Sequence, residues 1–346
     1  MPRTSFDYDR APMMQPYRKI VIHRLTGEVR SATQIVATPW QDPGPGEIVI
    51  RNRYAGVNGI FDQNLCRNTV RYVDVVPPYD MGVEAIGEVV AIGERVDGIR
   101  VGDAVARVKL GCAYRDYQVA DALKVIRVRE ASPEILALIA SGVSAMVALE
   151  RIADMHSGET VAVSAAAGGL GSFVVQLAKR AGNHVVALTS TDHKAALLRE
   201  LGADRVVNYR TESLREVLAR EYPRGLDIAY DSVGGAIFDA FLDHLAMYGR
   251  LIVSGHTSDF DKPVEDVSHP RAYHKLYWKS ASIRAFQNPA FPQYFDDAAR
   301  RILDLYYRGE LRALVDPTPF VGLEAAADAV EYQLAGRNAG KVVLRL

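Results

Sequence analysis

The pattern of hydrophobic and polar positions divides the chain into two parts. From Tyr17 to about Lys124, short runs rich in β-branched residues are separated by turns that contain Gly and Pro. Runs of this kind are typical of an antiparallel, barrel-like β module. The clearest runs are EIVIRNRYAGV (47–57), EAIGEVVAIGERV (84–96) and DAVARVKL (103–110).

The pattern changes at Ser132, where an N-cap residue followed by Pro133 opens a helical spacing of apolar residues. Beyond this helix, candidate strands and helices alternate with short turns up to about residue 286. Such alternation predicts a parallel sheet with helices on both faces. Later segments predict helices over 295–309 and 323–336, and the final strand KVVLRL (341–346) is expected to return to the first module.

We therefore predict an α/β protein in which a doubly wound parallel sheet is inserted into a β-rich module. The leader (1–16) mixes Pro, Met and charge without periodicity and is predicted to be flexible. The β-rich module takes residues 17–135 and 287–346, and the inserted domain takes residues 136–286.

Composition narrows the class of protein. A length of 346 residues suggests about two domains, and 49% apolar residues suffice for ordinary cores. The net charge of −1 gives no general case for binding nucleic acid. Two cysteines are too few for a disulfide framework, and we see neither a signal peptide nor an apolar run of about 18 residues. We expect a cytoplasmic protein with no membrane partner.

The strongest local motif is the segment TVAVSAAAGGLGSFVVQLAKRAG (160–182). A buried strand, a turn of small residues and an amphipathic helix follow one another, which is the arrangement that holds a dinucleotide pyrophosphate. Ala166, Gly168 and Gly171 match the dinucleotide spacing, with Ala in the first glycine position. The predicted contacts in this turn are Ala167, Gly168, Gly169, Leu170 and Gly171.

The end of the next strand favours NADPH over NADH. An NAD site usually has an acidic residue there to hold the ribose hydroxyls, but this strand ends at Ser190 and Thr191. Lys194 follows on the next helix, and Tyr209 ends the neighbouring strand. Hydroxyl, ammonium and phenol groups suit a phosphate dianion.

Several segments together resemble the medium-chain dehydrogenase/reductase superfamily. The two main signatures are GVEAIGEVVAIGERVDGIRVGDAV (82–105) and SAAAGGLGSFVVQLAK (164–179). Within this superfamily the chain resembles the zinc-free enone and quinone reductases, especially the prostaglandin reductase 3 branch, through IASGVSAMVAL (139–149) and GRNAGKVVLRL (336–346). The resemblance implies a GroES-like barrel and a Rossmann domain.

Zinc members of the superfamily have Cys and His where this chain has Asn58 and Val83, so we expect no metal site. The resemblance implies further cofactor contacts at Ser144, Ser232, Ser254, Gly255, Phe286 and Asn338.

Asn58, in the GVN segment, is expected beside the nicotinamide ring, and Tyr72 is the predicted proton donor. Tyr72 is the nearest match to a family tyrosine, although a pocket-shaping aromatic is the alternative. A second tyrosine position of prostaglandin reductases falls on Phe260, which has no hydroxyl, and His256 or Thr257 are alternative donors.

The expected function is reduction by NADPH of the carbon–carbon double bond of an enone, including molecules like 15-oxo-prostaglandins. Quinone reduction, enoyl-thioester reduction and NADPH sensing without turnover are the alternatives. The β-like segment KSASIRAFQN (279–288) ends the inserted domain, and the resemblance implies a homodimer through this edge near Ser280–Phe286.

Overall fold

The computed structural model describes residues 15–262, 266–268 and 270–346. The predicted leader, apart from its last two residues, lies outside the described residues.

The β-rich module contains two sheets. Its larger sheet is antiparallel except at one edge pair, and the chain's last strand pairs in it with the long strand Glu47–Gly56, with Val343 opposite Gly56. The predicted return of the chain end to the first module is therefore confirmed. In sheet order the strands are Phe320–Val321, Val343–Arg345, Glu47–Gly56, Glu84–Ile92, Ala104–Val108 and Ile126–Arg127, with Tyr117–Asp121 paired to Glu47–Gly56. The smaller sheet is Thr33–Thr38, Tyr17–Ile22 and Tyr79–Asp80.

The inserted domain has a parallel sheet of six strands. The first strand of this domain, Thr160–Val163, lies in the middle of the sheet, and the strand order reverses beside it. This topology places a dinucleotide at the carboxyl ends of the strands. In sheet order the strands are Arg205–Asn208, His184–Thr189, Thr160–Val163, Leu226–Asp231, Leu245–Val253 and Ser282–Ala285. The predicted Rossmann fold is confirmed.

Successive strand residues are buried on opposite faces of this sheet. Val161 and Val163 contribute to one hydrophobic core, whereas Ala162 contributes to the other. Side chains alternate across a strand, so a strand covered by helices on both faces is apolar throughout. This arrangement explains the continuous apolar runs in the sequence. The helices of the described chain are Val29–Ala32, Gly59–Cys66, Pro133–Ile152, Gly169–Arg180, Asp192–Glu200, Leu214–Glu221, Gly235–Asp243, Tyr273–Leu276, Phe295–Tyr307 and Ala326–Leu334.

The helix Pro133–Ile152 begins as predicted, since the Ser132 hydroxyl accepts a hydrogen bond from the backbone N–H of Ile135 at 3.3 Å. In the part of the chain that the structure describes, it is the one helix long and apolar enough to cross a membrane. Of its most apolar window, 72% is buried inside the protein. Its apolar side chains therefore belong to the core of the fold.

The helix Phe295–Tyr307 does not pack on the module to which its place in the sequence assigns it. It falls within the residues predicted for the β-rich module, but its buried face, which includes Ile302, lies against the helix Pro133–Ile152 of the inserted domain. Gly142 permits this contact, because a Cβ there would lie 3.0 Å from Cγ1 of Ile302. Chain order alone does not reveal this packing.

Candidate active site

The glycine turn, residues 165–171, joins the central strand to the helix Gly169–Arg180. Gly168 is the N-cap and gives no side-chain hydrogen bond, so the first backbone N–H groups of the helix are left for a ligand. The turn is tight, since a Cβ on Gly171 would lie 2.4 Å from the carbonyl oxygen of Ala165. The predicted contacts Ala167, Gly168, Gly169, Leu170 and Gly171 all lie in this turn.

The chain end closes one side of the glycine turn. The backbone N–H of Gly340 donates to the carbonyl of Ala167 at 2.8 Å, and Gly168 forms a parallel bridge with Gly340. Asn338 stabilises this returning segment, since its Nδ2 donates to the carbonyl of Gly340 at 2.8 Å. Residues from the middle and from the end of the chain therefore build one wall of the site.

Two cationic side chains, Lys194 and Arg210, follow the carboxyl ends of the neighbouring strands His184–Thr189 and Arg205–Asn208. Lys194 reaches across to the barrel segment and donates to the carbonyl of Gly336 at 2.9 Å. Burial lowers the pKa of Lys194, Asp316 opposes this shift, and the positive charge of Arg210 lowers it further. The acidic Asp192 accepts a hydrogen bond from Asn208 at 2.9 Å.

Ser190 and Tyr209 follow the paired ends of two neighbouring strands, and the Tyr209 N–H donates to the carbonyl of Thr189 at 3.1 Å. Two nearby cations with hydroxyl and phenol groups fit a phosphate on the ribose end of a dinucleotide. Sequence reasoning did not count Arg210 among the site residues.

Two serines border the site where the strands Leu226–Asp231 and Leu245–Val253 end. The hydroxyls of Ser232 and Ser254 are 2.8 Å apart, and the backbone of Gly255 passes close to Ser232, since a Cβ there would lie 3.0 Å from its carbonyl oxygen. The buried Asp231 shapes this loop by accepting hydrogen bonds from Ser164 and from the N–H groups of Val233 and Gly234.

The nicotinamide end of the cradle contains a group that sequence reasoning missed. Phe286 is buried and continues the edge strand, with its N–H donating to the carbonyl of Val253 at 2.9 Å. Two residues further on, Asn288 donates from Nδ2 to the hydroxyl of Ser144 at 2.7 Å. Its Oδ1 is buried and lacks a hydrogen-bond partner among the described residues. This acceptor fits the amide N–H of a nicotinamide carboxamide.

The Asn58 side chain lies where the barrel faces the glycine turn. Its Nδ2 donates to Glu84 at 2.8 Å, and its Oδ1 accepts from Lys341 at 3.0 Å. Beneath it, the backbone N–H of Asn58 and the phenol of Tyr114 both donate to the buried carboxyl of Asp62, at 3.1 and 2.6 Å. Burial raises the pKa of Asp62 to about 6, although these hydrogen bonds oppose the shift.

Tyr72 packs against the helix Gly59–Cys66, which directly follows Asn58. Its ring stacks on Phe61 with 6.5 Å between centroids, and 47% of the residue is exposed. Partial burial raises the pKa of Tyr72, and a hydrogen bond with the Gln287 side chain opposes that shift. Gln287 directly follows Phe286, beyond the end of the edge strand. The backbone carbonyl of Phe260 accepts from Arg67, which joins its loop to the end of the helix Gly59–Cys66.

At the family's two zinc-ligand positions the structure has Asn58 and Val83. Within residues 15–262, 266–268 and 270–346, three or more His, Cys, Asp or Glu side chains nowhere come together as a metal site. Cys66 and Cys112 are both buried, and burial raises the pKa of the Cys112 thiol to about 11.

Two family models match the chain: an alcohol dehydrogenase GroES-like domain over residues 44–146 and a zinc-binding dehydrogenase domain over residues 169–303. With the fold and the dinucleotide cradle described above, they define the class: the chain belongs to the medium-chain dehydrogenase/reductase superfamily, and it is an oxidoreductase.

Among its relatives, the chain is 38% identical to prostaglandin reductase-3 of Mus musculus, over 99% of this chain and 93% of that protein. It is 34% identical to a probable quinone oxidoreductase of Leishmania amazonensis, over 95% and 98%. A mycobacterial structure complexed with NADPH superposes with a TM-score of 0.82 at 27% identity, over 95% of this chain and all (100%) of that one.

Proposed function

We propose that this protein uses NADPH to reduce the carbon–carbon double bond of α,β-unsaturated carbonyl compounds, without zinc. One observation carries the proposal: a half-buried amide donor, Asn58, faces the dinucleotide cradle at a position where zinc members have a ligand. Such a donor suits the oxygen of a conjugated carbonyl, which gains negative charge when hydride adds to the β-carbon.

NADPH fits the cradle better than NADH. Lys194 and Arg210 supply positive charge at the ribose end. Of the acids near them, Asp192 is bound to Asn208, and Asp316 accepts hydrogen bonds from the backbone N–H groups of Thr318 and Ala339. The mycobacterial neighbour bound to NADPH supports the same cofactor.

Bound NADPH supplies a hydride to the substrate. The Asn58 amide donates to the substrate oxygen, and the Tyr72 phenol delivers the proton that completes the saturated product. The barrel wall and the returning chain end exclude water from the cleft and orient the substrate, which lowers the entropic part of the barrier.

Quinone reduction is the second candidate, favoured by the relative from Leishmania amazonensis, which is named a probable quinone oxidoreductase. A quinone also presents a carbonyl oxygen to Asn58, and both chemistries need the same cofactor. The two functions differ in the acceptor that is reduced.

The first experiment measures NADPH oxidation by absorbance with a trans enone, a quinone, an enoyl-thioester and no acceptor. We expect turnover with the enone and the saturated ketone as its product. Turnover with the quinone alone would support the second candidate, and thioester turnover alone would redirect the substrate class. Tight NADPH binding without oxidation by any acceptor would indicate a sensor and contradict the proposal.

The cofactor is tested with Lys194→Ala. The variant should weaken NADPH binding by at least about tenfold and NADH binding by less than about twofold, because one charge-assisted bond to the phosphate is lost. Lys179→Ala is the matched control, since Lys179 pairs with Asp204 on the surface at 2.6 Å. Equal weakening of both cofactors by Lys194→Ala would contradict a phosphate contact.

We also propose that two copies associate through the edge strand Ser282–Ala285. In the described structure this strand pairs on one side only, with Leu245–Val253. Large apolar side chains nearby are exposed, notably Tyr248, Tyr277, Trp278 and Ile283. An unprotected edge with apolar side chains is a typical surface for pairing with a second copy.

A further inference from the structure

Lys341 and Glu84 form a buried ion pair beneath the candidate active site. Their side chains are 3% and 0% exposed, and Nζ of Lys341 makes a short contact with Oε1 of Glu84. Removing two charges from water is costly, and an ion pair of this kind is often no more stabilising than apolar residues of the same volume. Stability alone therefore does not account for the pair.

The pair fixes the Asn58 amide in one orientation. An ammonium group only donates hydrogen bonds and a carboxylate only accepts them. Oδ1 of Asn58 must therefore face Lys341, at 3.0 Å, and Nδ2 must face Glu84, at 2.8 Å. Turning the amide over would place its NH₂ group against the ammonium and its oxygen against the carboxylate.

The lysine also connects this amide to the cofactor cradle. A Cβ on Gly169, the first residue of the cradle helix, would lie 3.4 Å from Cδ of Lys341. The preceding residue, Gly340, is held to Ala167 by the backbone hydrogen bond described above. The stem of Lys341 thus runs from the glycine turn to Asn58, and the position of one depends on the other.

We infer that Lys341 and Glu84 are positioning residues that orient and polarise Asn58 for the substrate oxygen. The inference deepens the proposed function and rests on it. Asn58 is half-buried whereas both partners are buried, so Asn58 is the member of the trio that can reach a ligand. Its second Nδ2 proton is only weakly engaged, because its hydrogen bond to the Gly56 carbonyl is long, at 3.5 Å. The ammonium on Oδ1 strengthens that remaining N–H as a donor.

The test is a double-mutant cycle in which kcat is measured with and without the ion pair and with and without the Asn58 side chain. Lys341→Met with Glu84→Gln removes both charges and leaves no uncompensated buried ion. We expect kcat for the enone to fall by at least about tenfold, the loss seen when a preorganised donor is misplaced, with the KM for NADPH within about twofold. In an Asn58→Ala background the same pair of changes should alter kcat by less than about twofold, because the residue they position is gone.

Arg250→Met with Glu159→Gln is the matched control. This pair, at 2.7 Å, is also largely buried, with 11% and 14% exposure, but it lies at the opposite end of the parallel sheet from the cradle. It should reduce thermal stability and leave kcat unchanged. If the Lys341 and Glu84 changes reduce kcat by the same factor in the Asn58→Ala background as in wild type, they act through a general structural effect. That result would overturn the inference. If this double variant does not fold, Lys341→Met with Glu84→Met, which replaces the ion pair with apolar residues of similar volume, is taken through the same cycle.

A second readout does not depend on activity. In protein labelled with ¹⁵N-asparagine, the Asn58 side-chain signal is assigned by its loss in Asn58→Ala. We expect two widely separated amide protons that move towards free-amide values in the charge-free variant. Unchanged shifts would overturn the inference even in an active enzyme. If the Asn58 shifts move as expected but the wild-type protein reduces none of the acceptors, only the proposed function is contradicted.

Discussion

At the residue scale, burial changes what individual side chains do. Asp62, Glu84 and Lys341 are charged residue types that are fully or almost fully buried around Asn58. The carboxyl of Asp62 illustrates the energetic consequence, because desolvation disfavours its ionised form and raises its pKa to about 6.

This shift predicts a pH dependence of stability. The ordinary pKa of 3.8 applies in the unfolded chain, so between about pH 4 and 6 the native state binds more protons, and stability falls as the pH rises. The free energy of unfolding of wild type, relative to Asp62→Asn, should fall by about 3 kcal/mol in total, nearly all of it below pH 7. Urea unfolding at several pH values measures this difference.

Asp243→Asn is the control. Burial acts to raise the pKa of Asp243, but hydrogen bonds from Arg215 and Lys275 outweigh it and leave the pKa lowered. Its stabilisation is present above pH 3.8 and is lost as the pH falls, so the difference from wild type should stay flat between pH 5 and 8. A flat profile for Asp62→Asn as well would show that Asp62 is not desolvated.

At the scale of elements, helix propensity and steric contact favour different residues at one position in the strand–turn–helix unit of the cradle. Gly171 lies within the helix Gly169–Arg180, where alanine would ordinarily be favoured by about 1 kcal/mol. Its Cβ, however, would lie 2.4 Å from one backbone atom of Ala165 and 2.8 Å from Cα of Ala166. These backbone atoms cannot move away without opening the turn.

We therefore expect Gly171→Ala to lower both the melting temperature and the affinity for NADPH, the latter by at least about tenfold, because the turn must approach the pyrophosphate closely. Differential scanning fluorimetry and fluorescence titration measure the two effects. Gly27→Ala is the control, since no atom lies within 4 Å of its Cβ position. An unchanged affinity in Gly171→Ala would mean that the pyrophosphate does not bind at this turn.

At the scale of the whole molecule, the proposed dimer depends on one open sheet edge. Ile283→Lys places a charge on that edge and should convert a dimer into a monomer in sedimentation experiments, because burying an unpaired charge at the interface is costly. Val321→Lys, on the exposed edge strand Phe320–Val321 of the barrel sheet, should leave the dimer intact. A wild-type protein that stays monomeric at every concentration would refute the proposed dimer.

The sequence by itself determined the fold class and the cofactor turn, because both are encoded locally. Alternating strands and helices, the Ser132 cap and the small residues at 165–171 depend on neighbours in the chain. The GVN segment also identified Asn58 through its resemblance to known reductases.

Only the tertiary structure decided what surrounds Asn58. A Glu inside a strand and a Lys before the last strand look like solvated residues in the sequence, since local patterns report periodicity and not burial by distant elements. Lys341 is 283 positions from Asn58 and reaches it only because the final strand pairs with Glu47–Gly56. The role of Asn288 and the packing of the helix Phe295–Tyr307 were missed for the same reason: their partners come from the helix Pro133–Ile152, far away in the chain.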